Sequence, residues 1–129
     1  MEPQVVLSEF LEAWIKKDWD KVFSHCQKTW KEGKTAKDIE SKLSRKPRGF
    51  AFVSHTNLGN IRQEINVKLS FSDGEVTINR AILICESAPF NPASYGDWGV
   101  NPVSILQVVE VISKPETKTK DESKKKGKV

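Results

Sequence analysis

Residues 61–86 read IRQEINVKLSFSDGEVTINRAILICE, and this stretch decides the predicted fold. Two arms in which apolar and polar residues alternate, 61–71 and 76–86, flank Ser72-Asp73-Gly74-Glu75. Alternation of this kind is typical of a half-buried strand, and an Asp-Gly pair between two such arms is typical of a hairpin. The sequence therefore predicts an antiparallel hairpin that turns at Asp73-Gly74.

This turn predicts which side chains face the core. With it, Leu69 lies opposite Ile78 and Val67 lies opposite Arg80, so one face is mostly apolar. Three polar side chains fall on that face, and we interpret them as candidate ligand-binding residues: Arg80, Gln63 and Glu86.

Arg80 is the sharpest exception on the predicted core face. An isolated buried charge costs several kcal/mol, so the guanidinium needs a partner or solvent. Its planar fork suits a carboxylate or a phosphate, which predicts a small acidic ligand. Two alternatives remain: a β-bulge turns the side chain outward, or Arg80 pairs with an acid such as Glu86 or Glu12.

Apolar residues at helical spacing precede the hairpin. Pro3 is a favourable first helical residue, and a wide apolar face follows it with Val6, Leu7, Phe10, Leu11, Trp14 and Ile15. Asp18 is predicted to cap a second helix that runs through Trp30, and Thr35 a third helix that reaches about Leu43.

The sequence changes character after Lys46-Pro47. Residues 50–58 are predicted as a strand, with Phe50 and Phe52 on one face and Ala51, Val53 and His55 on the other. Residues 87–102 are predicted as a proline-rich loop and residues 103–112 as a final strand. Helices followed by about four antiparallel strands indicate the α+β class.

Charge and length divide the chain into a domain, 1–113, and a lysine-rich tail, 114–129. The formal net charge is +4, and the tail alone carries seven lysines and three acidic residues. A segment without an apolar core cannot order itself, so we interpret the tail as disordered and solubilising. The alternative is a weak contact with a polyanion through Lys118, Lys120, Lys124, Lys125, Lys126 and Lys128.

The sequence also indicates where the protein resides. No apolar run is long enough to span a membrane, and the N-terminus lacks the pattern of a signal peptide. Cys26 and Cys85 lie far apart and are interpreted as reduced core residues. A cytoplasmic protein is therefore expected.

Two sequence segments resemble the nuclear transport factor 2-like superfamily, also called cystatin-like. They are Phe10-Leu11-Glu12-Ala13-Trp14 with Asp18-Trp19, and Trp98-Gly99-Val100-Asn101-Pro102. The resemblance covers about residues 3–113. It implies N-terminal helices packed in the concave face of a curved antiparallel sheet, which together form a cone, and it implies a homodimer through one face of the sheet.

Members of this superfamily include isomerases, dehydratases, epoxide hydrolases, cyclases, transport factors and non-catalytic domains, so the fold does not select a chemistry. None of the catalytic sets is complete here. Tyr95, the only tyrosine, lies in a predicted loop; His25 lies among polar positions; and no aspartate faces Arg80.

The leading hypothesis is a non-catalytic domain that binds a small molecule or a protein partner. Its predicted ligand-binding residues are Arg80, Gln63, Glu86, Trp98 and Trp14. No cofactor is expected, and no metal site, because the histidines and cysteines are not clustered.

Two alternatives remain open. The first is a small lyase, isomerase or hydrolase that uses Arg80, His55 and Asp97, with Tyr95 as a further catalytic candidate; His55 would shuttle a proton and Asp97 would act as a base. The second is a nucleic-acid-associated protein tethered by its basic tail.

Overall fold

The computed structural model describes residues 2–43 and 45–105. Four helices come first: α1 (Pro3–Lys16), α2 (Trp19–Ser24), α3 (Lys28–Lys31) and α4 (Ala36–Lys42). Five strands follow: β1 (Gly49–Asn57), β2 (Arg62–Phe71), β3 (Gly74–Ala88), β4 (Asn91–Pro92) and β5 (Asp97–Val100). The α+β class predicted from the sequence is confirmed.

Local signals position the helices as predicted. Pro3 opens α1, and Asp18 caps α2 by accepting a hydrogen bond from the Lys21 backbone N–H at 3.3 Å. The Asp38 carboxylate reaches back to the Thr35 backbone N–H at 2.6 Å, which completes a capping box on α4. The predicted second helix is divided in two, because residues 25–27 leave the helix to run beside β5.

The sheet is antiparallel in the order β1-β2-β3-β4, and β5 also pairs with β3. The buried residues of α1 pack against one face of this sheet, where Ile65, Val67 and Leu69 of β2 meet them. Trp14 is at the centre of this core with none of its surface exposed, and its indole N–H donates to the Leu43 carbonyl at 3.3 Å. Trp14 therefore belongs to the core rather than to a binding surface.

The central hairpin forms, but its predicted register was wrong. The two turn residues are Ser72 and Asp73, and Gly74 opens β3 with a φ of 145°. Leu69 consequently lies opposite Val76, not Ile78. Glycine suits this position because other residues rarely adopt such a φ.

A β-bulge changes the face that β3 presents beyond residue 78. Between the pairs Val67–Ile78 and Ile65–Ala81, β2 contributes one residue and β3 contributes two, Asn79 and Arg80. An extra residue shifts all later side chains to the opposite face. The helix-facing residues are therefore Ala81, Leu83 and Cys85.

The region predicted to follow the hairpin also differs. Residues 87–102, predicted as a loop, contain β4 and β5. The final strand was predicted to begin at residue 103, but residues 102–105 are helical. The prolines and glycines of this region favour turns, but residues 97–100 form a strand because they pair with residues 83–86 of β3. The remainder of the predicted strand, and the tail, lie outside the described residues. Within residues 2–43 and 45–105, no helix combines the length and apolarity that crossing a membrane requires.

Candidate ligand cleft

Arg80 does not lie in the core. Its side chain is 68% exposed, and its Nε atom is 3.9 Å from Oε1 of Glu64 on the neighbouring strand. The core-facing position predicted for Arg80 was wrong, and the alternative of an outward turn at a β-bulge is confirmed. The prediction of an acidic ligand therefore loses its main premise, a buried guanidinium.

His55 and Gln63 stabilise the β1–β2 connection. A bulge after Phe52 places His55 opposite Ile65, on the helix-facing side, and not on the face of Ala51 as predicted. His55 Nε2 is hydrogen-bonded to Oε1 of the buried Gln63, whose amide N–H donates to the Gly59 carbonyl at 3.4 Å. Both side chains are thus engaged with the hairpin itself.

Glu86 has a structural position that the sequence did not reveal. It is 1% exposed, and its carboxylate accepts hydrogen bonds from Gln27 Nε2 at 3.1 Å, from the Thr29 backbone N–H at 3.1 Å and from the Thr29 hydroxyl. A carboxylate at the start of α3 satisfies N–H groups that lack a partner within the helix. The carboxylate of Glu86, predicted as a ligand-binding residue, thus has its acceptor atoms engaged within the chain.

The three residues proposed for catalysis do not meet. His55 lies on β1 and Asp97 on β5, at opposite sides of the sheet, with β2 and β3 between them. Three strand spacings of about 4.8 Å separate them by about 14 Å across the sheet alone. With Arg80 exposed at its bulge, the three side chains of the predicted catalytic set, Arg80, His55 and Asp97, do not converge on one cavity.

A cleft of about 440 Å³ lies between the start of α1, the end of α2 and the segment that enters β5. It is lined by Glu2, Val6, Ser24, His25, Gly96, Asp97 and Trp98. Trp98 and Asp97 are the two predicted site residues that the structure brings to this cleft. The others, including the solvent-exposed Tyr95, are not among its lining residues.

His25 forms the polar wall of the cleft. Its Nε2 atom is 2.8 Å from Oε1 of Glu9 on α1, and its Nδ1 atom is 2.8 Å from the Lys21 carbonyl. The Lys21 carbonyl is an acceptor, so the contact at Nδ1 is satisfied when that nitrogen donates. In this arrangement His25 links the last turn of α2 to α1.

Ser24 lies beside His25, yet the pair lacks the geometry of an activated nucleophile. The Ser24 hydroxyl donates to the Lys21 carbonyl at 2.8 Å, and its oxygen is 3.1 Å from His25 Nδ1. Since that nitrogen is directed at the same carbonyl, it offers no lone pair to remove the serine proton. Ser24 and His25 therefore do not form a nucleophile–base pair in this arrangement.

Carboxylates determine the charge of the cleft. Glu2 and Asp97 line it, and Asp97, with an 83% exposed side chain, forms an ion pair with Lys28 at 3.1 Å. Trp98 adds an aromatic ring to this lining. Polar cations and neutral hydrogen-bonding molecules fit such a lining better than anions.

Glycines allow the segment 96–99 to pack closely. A Cβ atom on Gly96 would overlap the backbone of Glu86 and Ser87, and one on Gly99 would lie 2.6 Å from the Gln27 Cα atom. Gln27 donates its backbone N–H to Val100 at 2.8 Å, and Val100 donates to His25 at 2.9 Å. The residues that line the cleft are thereby held on a continuous backbone network.

The described residues were also compared with the requirements of a metal site and of a reactive thiol. Within the described ranges, no group of three or more histidine, cysteine or acidic side chains is placed to hold a metal ion. Cys26 and Cys85 are both buried and unpaired, and burial raises the pKa of each thiol, that of Cys26 to about 12. A protonated thiol is a poor nucleophile and a poor metal ligand.

The sequence contained only a weak signal for this cleft. Glu9 and Ser24 were not singled out, and His25 was set aside because it lies among polar positions beside an apolar stripe. The spacing from Glu9 to His25 spans two helices, so only the packing of α1 against α2 brings the two together.

Comparisons with known proteins agree on the fold alone. No family model matches the chain, and no curated protein matches it in sequence. Among solved structures, the chain is similar to the crystal structure of a SEC-C motif-containing protein from Psychrobacter arcticus. The two share 15% identity with a TM-score of 0.56, over 74% of this chain and 56% of that protein, so this chain matches little more than half of the other's length.

Proposed function

We propose that this chain is a non-catalytic domain that binds a small polar cation in the cleft beside Trp98. The observation that supports the proposal most is the lining of the cleft, where an aromatic ring lies with two carboxylates and a histidine committed to Glu9. An organic cation gains from the face of an indole and from nearby carboxylates. Membership in the nuclear transport factor 2-like superfamily is part of this proposal, and N-terminal helices packed against an antiparallel sheet support it.

Tetramethylammonium and acetate are suitable opposite probes, because they are similar in size and differ in charge. We expect tetramethylammonium to shift the NMR signals of the Trp98 indole N–H and of Gly96. Acetate is expected to leave both signals unchanged, and Asp97→Asn should weaken the cation's effect. Arg80→Gln is the control, since Arg80 does not line the cleft. Shifts caused by acetate, or shifts spread evenly over the surface, would contradict the proposal.

A second proposal is that two copies associate through β1, and the composition of that strand supports it. β1 is at the edge of the sheet, and residues 49–61 contain no aspartate, glutamate, lysine or arginine. Phe52 and Val53 are 41% and 58% exposed there. Edge strands usually carry charges that prevent pairing, and an uncharged strand meets a second copy of itself without repulsion.

Association through the edge is better supported than association through the sheet face. The outer face carries charged residues such as Arg62, Glu64 and Lys68, which pair within the chain. Sedimentation velocity at increasing concentration should reveal a dimer that Val53→Glu abolishes. Thr77→Glu, which adds the same charge on the outer face, should leave the dimer intact. A wild-type protein that is monomeric at every concentration would refute this proposal.

We also propose a cytoplasmic location. Two unpaired cysteines buried in the core support it, because such thiols are typical of proteins that remain in a reducing compartment.

A further inference from the structure

Two aromatic rings and two lysines form a surface on the helical half of the protein, and none of the four lines the cleft. Phe23 of α2 and Trp30 of α3 meet edge to face, with ring centroids 6.3 Å apart and planes inclined at 62°. The Nζ atom of Lys31 is 5.9 Å from the Phe23 ring centroid, and that of Lys34 is 5.1 Å from the Trp30 ring centroid. We call these four residues the aromatic–lysine surface.

Both rings of the aromatic–lysine surface are held rigidly and remain accessible. Each packs partly against the hydrophobic core while part of its surface meets solvent. A ring that is fixed on one side offers a preformed platform on the other, since little conformational freedom is lost when a flat partner stacks on it.

The charges around this surface are predominantly positive. Lysines recur at every third position from Lys28 to Lys37, and residues 28–48 hold eight basic and three acidic residues. Among the described residues Lys28 pairs with Asp97, whereas Lys31 and Lys34 have no carboxylate within 4.0 Å. Lys31 Nζ also donates to the Ser24 carbonyl at 3.3 Å. Its remaining N–H donors, and the ammonium group of Lys34, are available to an anion.

We propose that the aromatic–lysine surface binds single-stranded nucleic acid. Bases stack on exposed aromatic side chains while lysines contact the phosphates, and both elements lie within one patch here. Binding requires Lys34 to move from the Trp30 ring to a phosphate, which frees the ring for a base. A four-residue α3 is too short to act as a recognition helix in the major groove of a duplex.

This inference is independent of the proposed cleft ligand, because the two sites differ in charge and in residues. The carboxylates of the cleft repel phosphates, whereas the aromatic–lysine surface attracts them. If cation binding in the cleft is not observed, nucleic-acid binding at the aromatic–lysine surface can still be tested, and the reverse also holds.

Fluorescence anisotropy with a fluorescein-labelled oligothymidylate of about 12 nucleotides tests the proposal in the full chain. We expect Lys31→Gln/Lys34→Gln to weaken binding about tenfold at low salt. Two lost phosphate contacts should also reduce the slope of log K against log salt by about 1.4. Two charge-matched controls should retain near wild-type affinity: Lys42→Gln/Lys46→Gln on the same half of the protein, and Lys125→Gln/Lys126→Gln in the tail.

Substitutions of Trp30 distinguish base stacking from simple charge attraction. Trp30→Leu should weaken binding about tenfold, because the base loses the aromatic ring on which it stacks, whereas Trp30→Phe should preserve most of the affinity. Circular dichroism verifies that each variant is folded. The proposal is overturned if either control pair weakens binding as much as the Lys31/Lys34 pair, if a duplex binds more tightly, or if anionic vesicles bind through Trp30 and the oligonucleotide does not.

Discussion

The two sides of the sheet are built differently. At the β5 side, residues 25–29 run along β5 and lie over the end of β3, and Glu86 and Gly96 are enclosed by backbone. At the β1 side, most residues of the strand are exposed and only a few contacts link it to α1. One side is closed by the protein's own helical segment, and the other ends in an unprotected strand.

The closed side therefore contributes mainly to the stability of the fold, and the open side is the one that a partner can reach. The closed side has little tolerance for added atoms or lost hydrogen bonds, because its polar groups are satisfied internally. The open side contributes less to the core and remains available to a partner. Substitutions of the same type on the two sides should therefore differ in their effect on the free energy of unfolding.

A methyl group added to a glycine should give the largest contrast. Gly96→Ala places a Cβ atom against the backbone of Glu86 and Ser87, whereas Gly49→Ala on β1 meets no atom within 4 Å. We expect Gly96→Ala to lower the free energy of unfolding by about 3 kcal/mol, and Gly49→Ala to change it by less than about 0.5 kcal/mol. Urea unfolding measures both, and equal effects would show that the two sides are equally packed.

Loss of a hydrogen-bonded side chain should give a smaller contrast. Glu86→Gln directs an amide N–H₂ group at donors of Gln27 and Thr29, so we expect a loss of about 2 kcal/mol. His55→Ala removes an exposed ring from the β1 side, and about 0.5 kcal/mol is expected. Both are measured from urea midpoints. If the His55 variant loses as much stability as the Glu86 variant, the two sides of the sheet do not differ as proposed.

The buried thiol at the closed side predicts a smaller effect that depends on pH. Burial raises the pKa of Cys26 from 9.0 to about 12, although Lys31 lowers it in part. Because the folded state binds this proton more tightly, its contribution to stability is complete below pH 9 and is lost as the pH rises towards 12.

Between pH 8 and pH 10, the wild type should therefore lose about 1 kcal/mol more than Cys26→Ala. Urea unfolding of both proteins at the two pH values isolates this thiol from the lysines that titrate in the same range. An identical pH dependence in the two proteins would mean that Cys26 is accessible to water.

Much of the fold was predictable from local sequence. The caps at Asp18 and Thr35, the helix that Pro3 opens and the central hairpin all depend on neighbours in the sequence. The sequence also predicted Trp98 and Asp97 as candidate site residues. These features follow from propensity and spacing, which act over a few residues.

The positions that were wrong share a physical cause. The bulges at Val53 and at Asn79-Arg80 each insert one residue, and one residue is enough to reverse the faces of a strand. Arg80 and His55 were misplaced for this reason. Whether a strand bulges depends on how its neighbours pack, which alternation within a single strand does not reveal.

The sequence by itself determined the α+β class, the helices that precede the central hairpin and the uncharged character of β1, because composition and periodicity encode these directly. Only the tertiary structure decided that Glu86 caps α3 and that His25 pairs with Glu9. It also decided that Trp98 lines a cleft together with the start of α1 and the end of α2. Each of these contacts joins residues at least 16 positions apart. Their proximity arises from the packing of the helices against the closed side of the sheet.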